Sequence, residues 1–137
     1  MAPRLTLRVD LGPGQSIGPG KMRLLDAVAE TGSISSAGRK LGMSYRRAWM
    51  LIDDLNTSFE SKVVSTTLGG KEGGGAKLTA FGLDLVKRYR EIEADATKAT
   101  KANVTFLAKA LKPEKAAEKE SADATGTGAV KKTRLSK

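Results

Sequence analysis

Cysteine and histidine are both absent from the 137 residues. Without thiols there are no disulfides and no cysteine nucleophile, and zinc sites built on Cys or His are excluded. Without imidazole, the commonest acid–base group near neutral pH is missing too. Surviving enzyme chemistry would rest on carboxylates or lysines, and no pair of carboxylates converges on a recognisable pocket. The expectation is a non-enzyme with no cofactor and no metal. Long apolar runs are also lacking: none approaches the roughly 18 residues that span a bilayer. The opening Met1-Ala2-Pro3-Arg4-Leu5-Thr6 has no apolar core of the signal-peptide kind. A cytoplasmic protein with no membrane partner is expected.

Acid is the third shortage. Fifteen Asp and Glu stand against 24 Lys and Arg, a net charge of +9. Such a surplus favours a polyanionic partner, because neutralising phosphates releases their condensed counterions. Charge alone does not separate DNA from RNA or an anionic membrane surface.

Residues 4–11 alternate, with Leu5, Leu7, Val9 and Leu11 on one face, as in a half-buried strand. Residues 12–20 are punctuated by Gly and Pro and read as a loop. From about Pro19 to Glu30 the period becomes helical, with Met22, Leu25, Val28 and Ala29 on one face and Gly32 as the C-terminal cap. Ser33 or Ser35 caps a second, short helix with Ala37 and Leu41 inward. Gly42 ends that helix, Met43 fills the turn, and Ser44 caps a third helix running to about Phe59.

Val63 to Thr67 is β-branched and reads as a strand. Five glycines follow among the nine residues 68–76, and Lys77-Leu78 begins a return strand, giving a hairpin with a long tip. Thr79 caps a last helix in which Phe81, Leu85, Tyr89, Ile92, Ala96, Ala99, Phe106 and Leu107 recur at helical spacing as far as Leu111. At about 1.5 Å per residue such a helix is roughly 48 Å long. A small domain cannot cover it, so its outer half is expected to pack on a second copy. Residues 112–137 hold little to bury and read as a disordered basic tail.

Between Ser33 and Met50 there are four cations (Arg39, Lys40, Arg46, Arg47) and no acid. Backbone N–H groups at a helix start favour phosphate, and side chains there can enter a DNA groove. At about 100° per residue, Ala48, Leu51, Ile52 and Leu55 of the third helix share one arc and face the core. Arg46, Met50 and Asp53 take the opposite arc, flanked by Arg47 and Trp49. Arg46 is the first choice for a base edge, since Arg makes bidentate contacts to guanine. Tyr45, Arg47 and the Ser44 hydroxyl suit phosphates. Ser33 and Ser35 are caps that can also touch phosphate, and Met50 completes the DNA-facing arc. Trp49 reads as a packing residue at the boundary, and Asp53 and Asp54 as solvated. The glycine-rich hairpin lacks the ending and setting of a nucleotide-binding loop. It reads as a wing, with Lys71 reaching the DNA backbone or minor groove.

Three segments in order, Thr31-Gly32-Ser33-Ile34-Ser35, Gly42-Met43-Ser44-Tyr45-Arg46-Arg47-Ala48-Trp49 and residues 69–79, resemble the N-terminal DNA-binding domain of the molybdenum-responsive ModE regulators. That domain is in turn similar to the LysR-type winged helix, and the resemblance covers roughly residues 4–111. It implies a mainly α fold with a small antiparallel β wing: a winged helix-turn-helix over residues 1–78, a dimerisation helix over 79–111, and the tail at 112–137. It also implies a homodimer on a pseudo-palindromic double-stranded DNA site, and control of molybdate-uptake or molybdenum-enzyme genes. ModE regulators carry a C-terminal oxyanion-binding module; only the basic tail follows residue 111, so molybdate binding is not expected here. The competing reading is a nucleoid-type architectural protein that coats DNA by charge. The focused, acid-free stretch from Ser33 to Met50 favours the regulator.

Overall fold

The computed structural model describes residues 2–67 and 74–113. The chain divides into two units: one is Thr6–Asp95, and the other takes in the helical residues from Ala96 onward. In chain order the elements are β1 (Val9–Gly12), β2 (Gln15–Ile17), α1 (Pro19–Thr31), α2 (Ile34–Lys40), α3 (Tyr45–Ser58), β3 (Val64–Thr67), β4 (Gly75–Leu78) and α4 (Ala80–Lys109).

The helix boundaries follow local chemistry. Pro19 opens α1, where its missing N–H costs no helical bond, and Gly32 closes it. The α1 stripe of Met22, Leu24, Leu25, Ala27 and Val28 is the centre of the core. Ala37 from α2, Ala48, Ile52 and Leu55 from α3, and Val63 and Val64 at the wing complete it around that stripe. Each large side chain so buried contributes roughly 1.5–3 kcal/mol.

The wing is an antiparallel pair in the register Val64↔Leu78 to Thr67↔Gly75. Its return strand starts at Gly75, two residues before the expected Lys77, because the pairing with β3 extends to Thr67↔Gly75. The Ala76 N–H donates to the Gly32 carbonyl at 2.9 Å and ties β4 to the end of α1. The tip, residues 68–73, lies outside the described residues. With helix-turn-helix and hairpin in this order, Thr6–Asp95 is a winged helix-turn-helix.

The N-terminal segment departs from expectation. Leu5, Leu7 and Val9 are half-buried and alternate with exposed neighbours, but only Val9–Gly12 forms a strand. The supposed loop supplies that strand's partner, β2, through a tight turn at Pro13-Gly14. A register shift between Asp10 and Gly12 leaves Leu11 53% exposed rather than facing inward. A bulge of this kind, invisible in an alternating pattern, turns one side chain off the face its neighbours share.

Thr79 caps α4: its Oγ1 accepts from the Gly82 N–H at 2.9 Å and donates to the Lys62 carbonyl at 2.6 Å. Leu85 and Tyr89 are buried as expected and Phe81 half-buried, whereas Ile92, Ala99, Phe106 and Leu107 are exposed. The Tyr89 hydroxyl donates to the Leu7 carbonyl at 2.6 Å, fixing α4 to the N-terminal segment. Burial, and then the Glu93 carboxylate, raise the Tyr89 phenol above its ordinary 10.0. Because the folded value is the higher one, the neutral phenol's contribution is whole below the unfolded value near 10 and is lost as pH rises through the folded value. Tyr89→Phe should lower stability by about 1 kcal/mol, the usual worth of one hydrogen bond. Urea titrations at neutral pH check it, and an unchanged midpoint would show that the contact contributes nothing.

Among the described residues no helix is long and apolar enough to cross a membrane, and no three acidic side chains gather to hold a metal ion.

Candidate nucleic-acid interface

The site is built on α2, the turn after it, and α3. Ser33, rather than Ser35, is the α2 cap, its Oγ accepting from the Ser36 N–H at 2.9 Å. The turn passes through Gly42 at φ 71°, a left-handed conformation that disfavours a side chain. The Met43 N–H then donates to the Gly38 carbonyl at 2.9 Å. Ser44 caps α3 by accepting from the Arg47 N–H at 3.1 Å. A Cβ at Gly38 would stand only 3.3 Å from that of Ala48, so α2 and α3 meet almost backbone to backbone. That close crossing fixes how α3 is presented.

Its outer face is the one expected. Ala48, Ile52 and Leu55 are buried, while Tyr45, Arg46, Arg47, Met50 and Asp53 are exposed. The four cations divide into two pairs. Arg39 is held by the hydroxyl oxygens of Ser35 and Ser36 at 3.0 and 3.2 Å, and Lys40 pairs with Glu30. Ser35 is thus an acceptor for Arg39 and not a cap. Among the described residues neither Arg46 nor Arg47 has a carboxylate within ion-pair distance. Their charge is therefore available at the mouth of α3, where the helix dipole is also positive.

Asp54 does stand partly in solvent, its side chain 45% exposed, but it also has a partner that its sequence context does not suggest. Lys21, its side chain only 15% exposed, donates to Asp54 at 2.6 Å and to the Ser16 carbonyl at 2.7 Å. The pair ties α3 to α1 and β2, and it neutralises an acid that would weaken the positive field around α3.

Between α3 and the wing lies an open groove of about 340 Å³. Tyr45 and Trp49 form one wall, Ser33 and Ser35 the α2 end, and Thr66, Thr67 and Gly75 the wing side. Trp49, expected to pack at the boundary, is 44% exposed and forms a wall of this groove. Its position four residues after Tyr45, one helical turn, is the signal that could have placed it. Asn56 also escaped the sequence reading. Its Oδ1 accepts from the N–H groups of Val63 and Val64 at 2.8 and 3.0 Å, and its Nδ2 donates to the Val64 carbonyl at 3.0 Å. An Asn inside a helix is unfavourable without such partners, and that was the available hint. Lys71 lies outside the described residues.

Residues 20–83 match the model of the bacterial regulatory helix-turn-helix proteins of the lysR family. Molybdenum-pterin-binding protein MopB of Rhodobacter capsulatus is 42% identical over 85 residues, 62% of this chain and 32% of that protein. Transcriptional regulator ModE of Yersinia pestis is 44% identical over 71 residues, 52% of this chain and 27% of that protein. The chain thus spans about a third or less of the length of these relatives. A solved structure described as the CbnR_DBD-DNA complex has a TM-score of 0.49 and 19% identity, covering 64% of this chain and 95% of that one. The caps at Ser33 and Ser44, the close crossing at Gly38 and the wing all lie inside the matched span, so the part of the chain that resembles the LysR-type helix-turn-helix is the part that builds this site.

Proposed function

We propose that the chain is a sequence-specific DNA-binding transcriptional regulator of the ModE type, acting by binding and not by catalysis, in the cytoplasm. The observation that carries this is the start of α3. There Arg46 and Arg47 stand exposed, with no acid from Ser33 to Met50. In this reading Arg46 reads a base edge in the major groove. Arg47, Tyr45 and the hydroxyls of Ser33, Ser35 and Ser44 take phosphates, and Lys71 on the wing reaches the backbone or minor groove.

The same reading assigns residues 1–78 to DNA binding, 79–111 to dimerisation and 112–137 to a basic tail. In support of a dimer, Ile92, Ala99 and Phe106 recur every seven residues, the spacing of paired helices. All three are exposed. Two copies would then enter successive major grooves about 34 Å apart on a pseudo-palindromic site. A link to molybdenum rests on relatives named as a molybdenum transport protein and molybdenum-pterin-binding proteins.

Selection of bound duplexes from a random pool tests the proposal, and a symmetric consensus is expected. A pool that emerges without preference would support coating of DNA by charge instead. On the selected duplex, Arg46→Ala should reduce discrimination at one base pair by about 1–3 kcal/mol. Competition titrations against single-base variants read this out. Equal weakening on every sequence would reduce Arg46 to a phosphate contact.

A further inference from the structure

Three large apolar side chains of α3 stand in solvent: Tyr45 at 55%, Trp49 at 44% and Met50 at 59% exposed. Tyr45 and Trp49 line the groove beneath the wing, which accounts for their placement. Met50 is not among the residues of that groove. It lies one helical turn after Arg46, on the arc opposite the buried Ala48, Ile52 and Leu55. Its neighbours on that arc, Arg46 and Asp53, are charged and exposed. A thioether is the apolar exception on the face that meets the partner.

The floor of a major groove consists of hydrogen-bond donors and acceptors with one apolar feature, the 5-methyl group of a pyrimidine. An unbranched, polarisable side chain adapts readily to such a group. Successive turns of α3 are about 5.4 Å apart, and base steps about 3.4 Å. Arg46 and Met50 therefore address positions within two base steps of each other. Resting on the DNA-binding reading of α3, we propose that Met50 is a specificity-determining residue that covers a pyrimidine 5-methyl group within two base steps of the guanine read by Arg46. Arg46 supplies the donors and Met50 the apolar contact.

The test uses the full chain and the selected duplex, with each thymine replaced singly by deoxyuridine. Wild-type protein should lose about three- to fourfold in affinity at one position per half-site, the worth of one buried methyl group. Met50→Ala should bind the thymine duplex more weakly by a similar factor and be indifferent to that replacement, whereas Met50→Leu keeps the sensitivity. A second arm places 5-methylcytosine at each cytosine. A gain confined to proteins with Met or Leu at this position would identify methylated cytosine as the methyl source, and the deoxyuridine effect identifies thymine. Because Met50 is exposed, both variants should unfold at the wild-type midpoint, which separates lost reading from lost folding. A consensus with a fixed guanine but no methyl dependence, or one equal in Met50→Ala, overturns the Met50 role alone. A pool with no consensus overturns the reading of Arg46 as well.

Discussion

Replacing Gly82 with alanine should destabilise the protein, against the helix propensities of the two residues. Propensity alone favours alanine in a helix by up to about 1 kcal/mol. At this position, however, α4 lies directly against the end of the wing. A Cβ at Gly82 would run into the Val63 carbonyl oxygen and stand 3.1 Å from the carbonyl carbon. Backbone cannot rotate aside as a flexible side chain can. The same Val63 carbonyl accepts from the Thr79 N–H at 3.0 Å, so β3 is fixed at that point. Overpacking against such a wall costs about 3 kcal/mol or more. The net loss is then roughly 2 kcal/mol, or about 10 °C in the unfolding midpoint of a domain this size. Thermal unfolding followed by far-UV circular dichroism decides the sign. A raised midpoint would show that α4 slides off β3 without cost.

Asn56→Leu should have an effect at least as large, for a different reason. The amide of Asn56 gives Val63 and Val64 an acceptor and the Val64 carbonyl a donor. Both valines are essentially solvent-free, at 0% and 1% exposed. Leucine fills a similar volume but leaves two buried N–H groups without that acceptor, each costing about 1–3 kcal/mol. A total loss of roughly 3 kcal/mol or more is expected. The strand held by Asn56 is the first strand of the wing, so its amides should also exchange faster than those of α1. Hydrogen exchange resolves the two: uniform protection of wing and helices in the variant would show that the wing holds itself.

Both predictions involve contacts that a linear reading does not reach. The helix-turn-helix itself was legible because its determinants are local: a capping hydroxyl at Ser33 and Ser44 serves an N–H three residues on, and Gly42 ends its own turn. The core arc of α3 was legible for the same reason, since periodicity is a property of one segment. What escaped depends on partners remote in sequence. Asp54 read as solvated because Lys21 is 33 residues away, and the Tyr89 hydroxyl finds its acceptor 82 residues back at Leu7. The β1–β2 hairpin was hidden by its bulge, which breaks the alternation a strand is recognised by, and by glycines that suit loops and tight turns alike. Of the site residues, the structure brings Ser33, Ser35 and Tyr45 together around one groove and leaves Arg46, Arg47 and Met50 on the open face.

That groove has a further consequence. Trp49 is the one tryptophan of the chain, and it forms a wall shared by α3 and the base of the wing. Its indole is therefore a native optical label placed where α3 and the hairpin meet. Whatever enters or drains that space changes the polarity around a single indole, so the groove carries its own reporter.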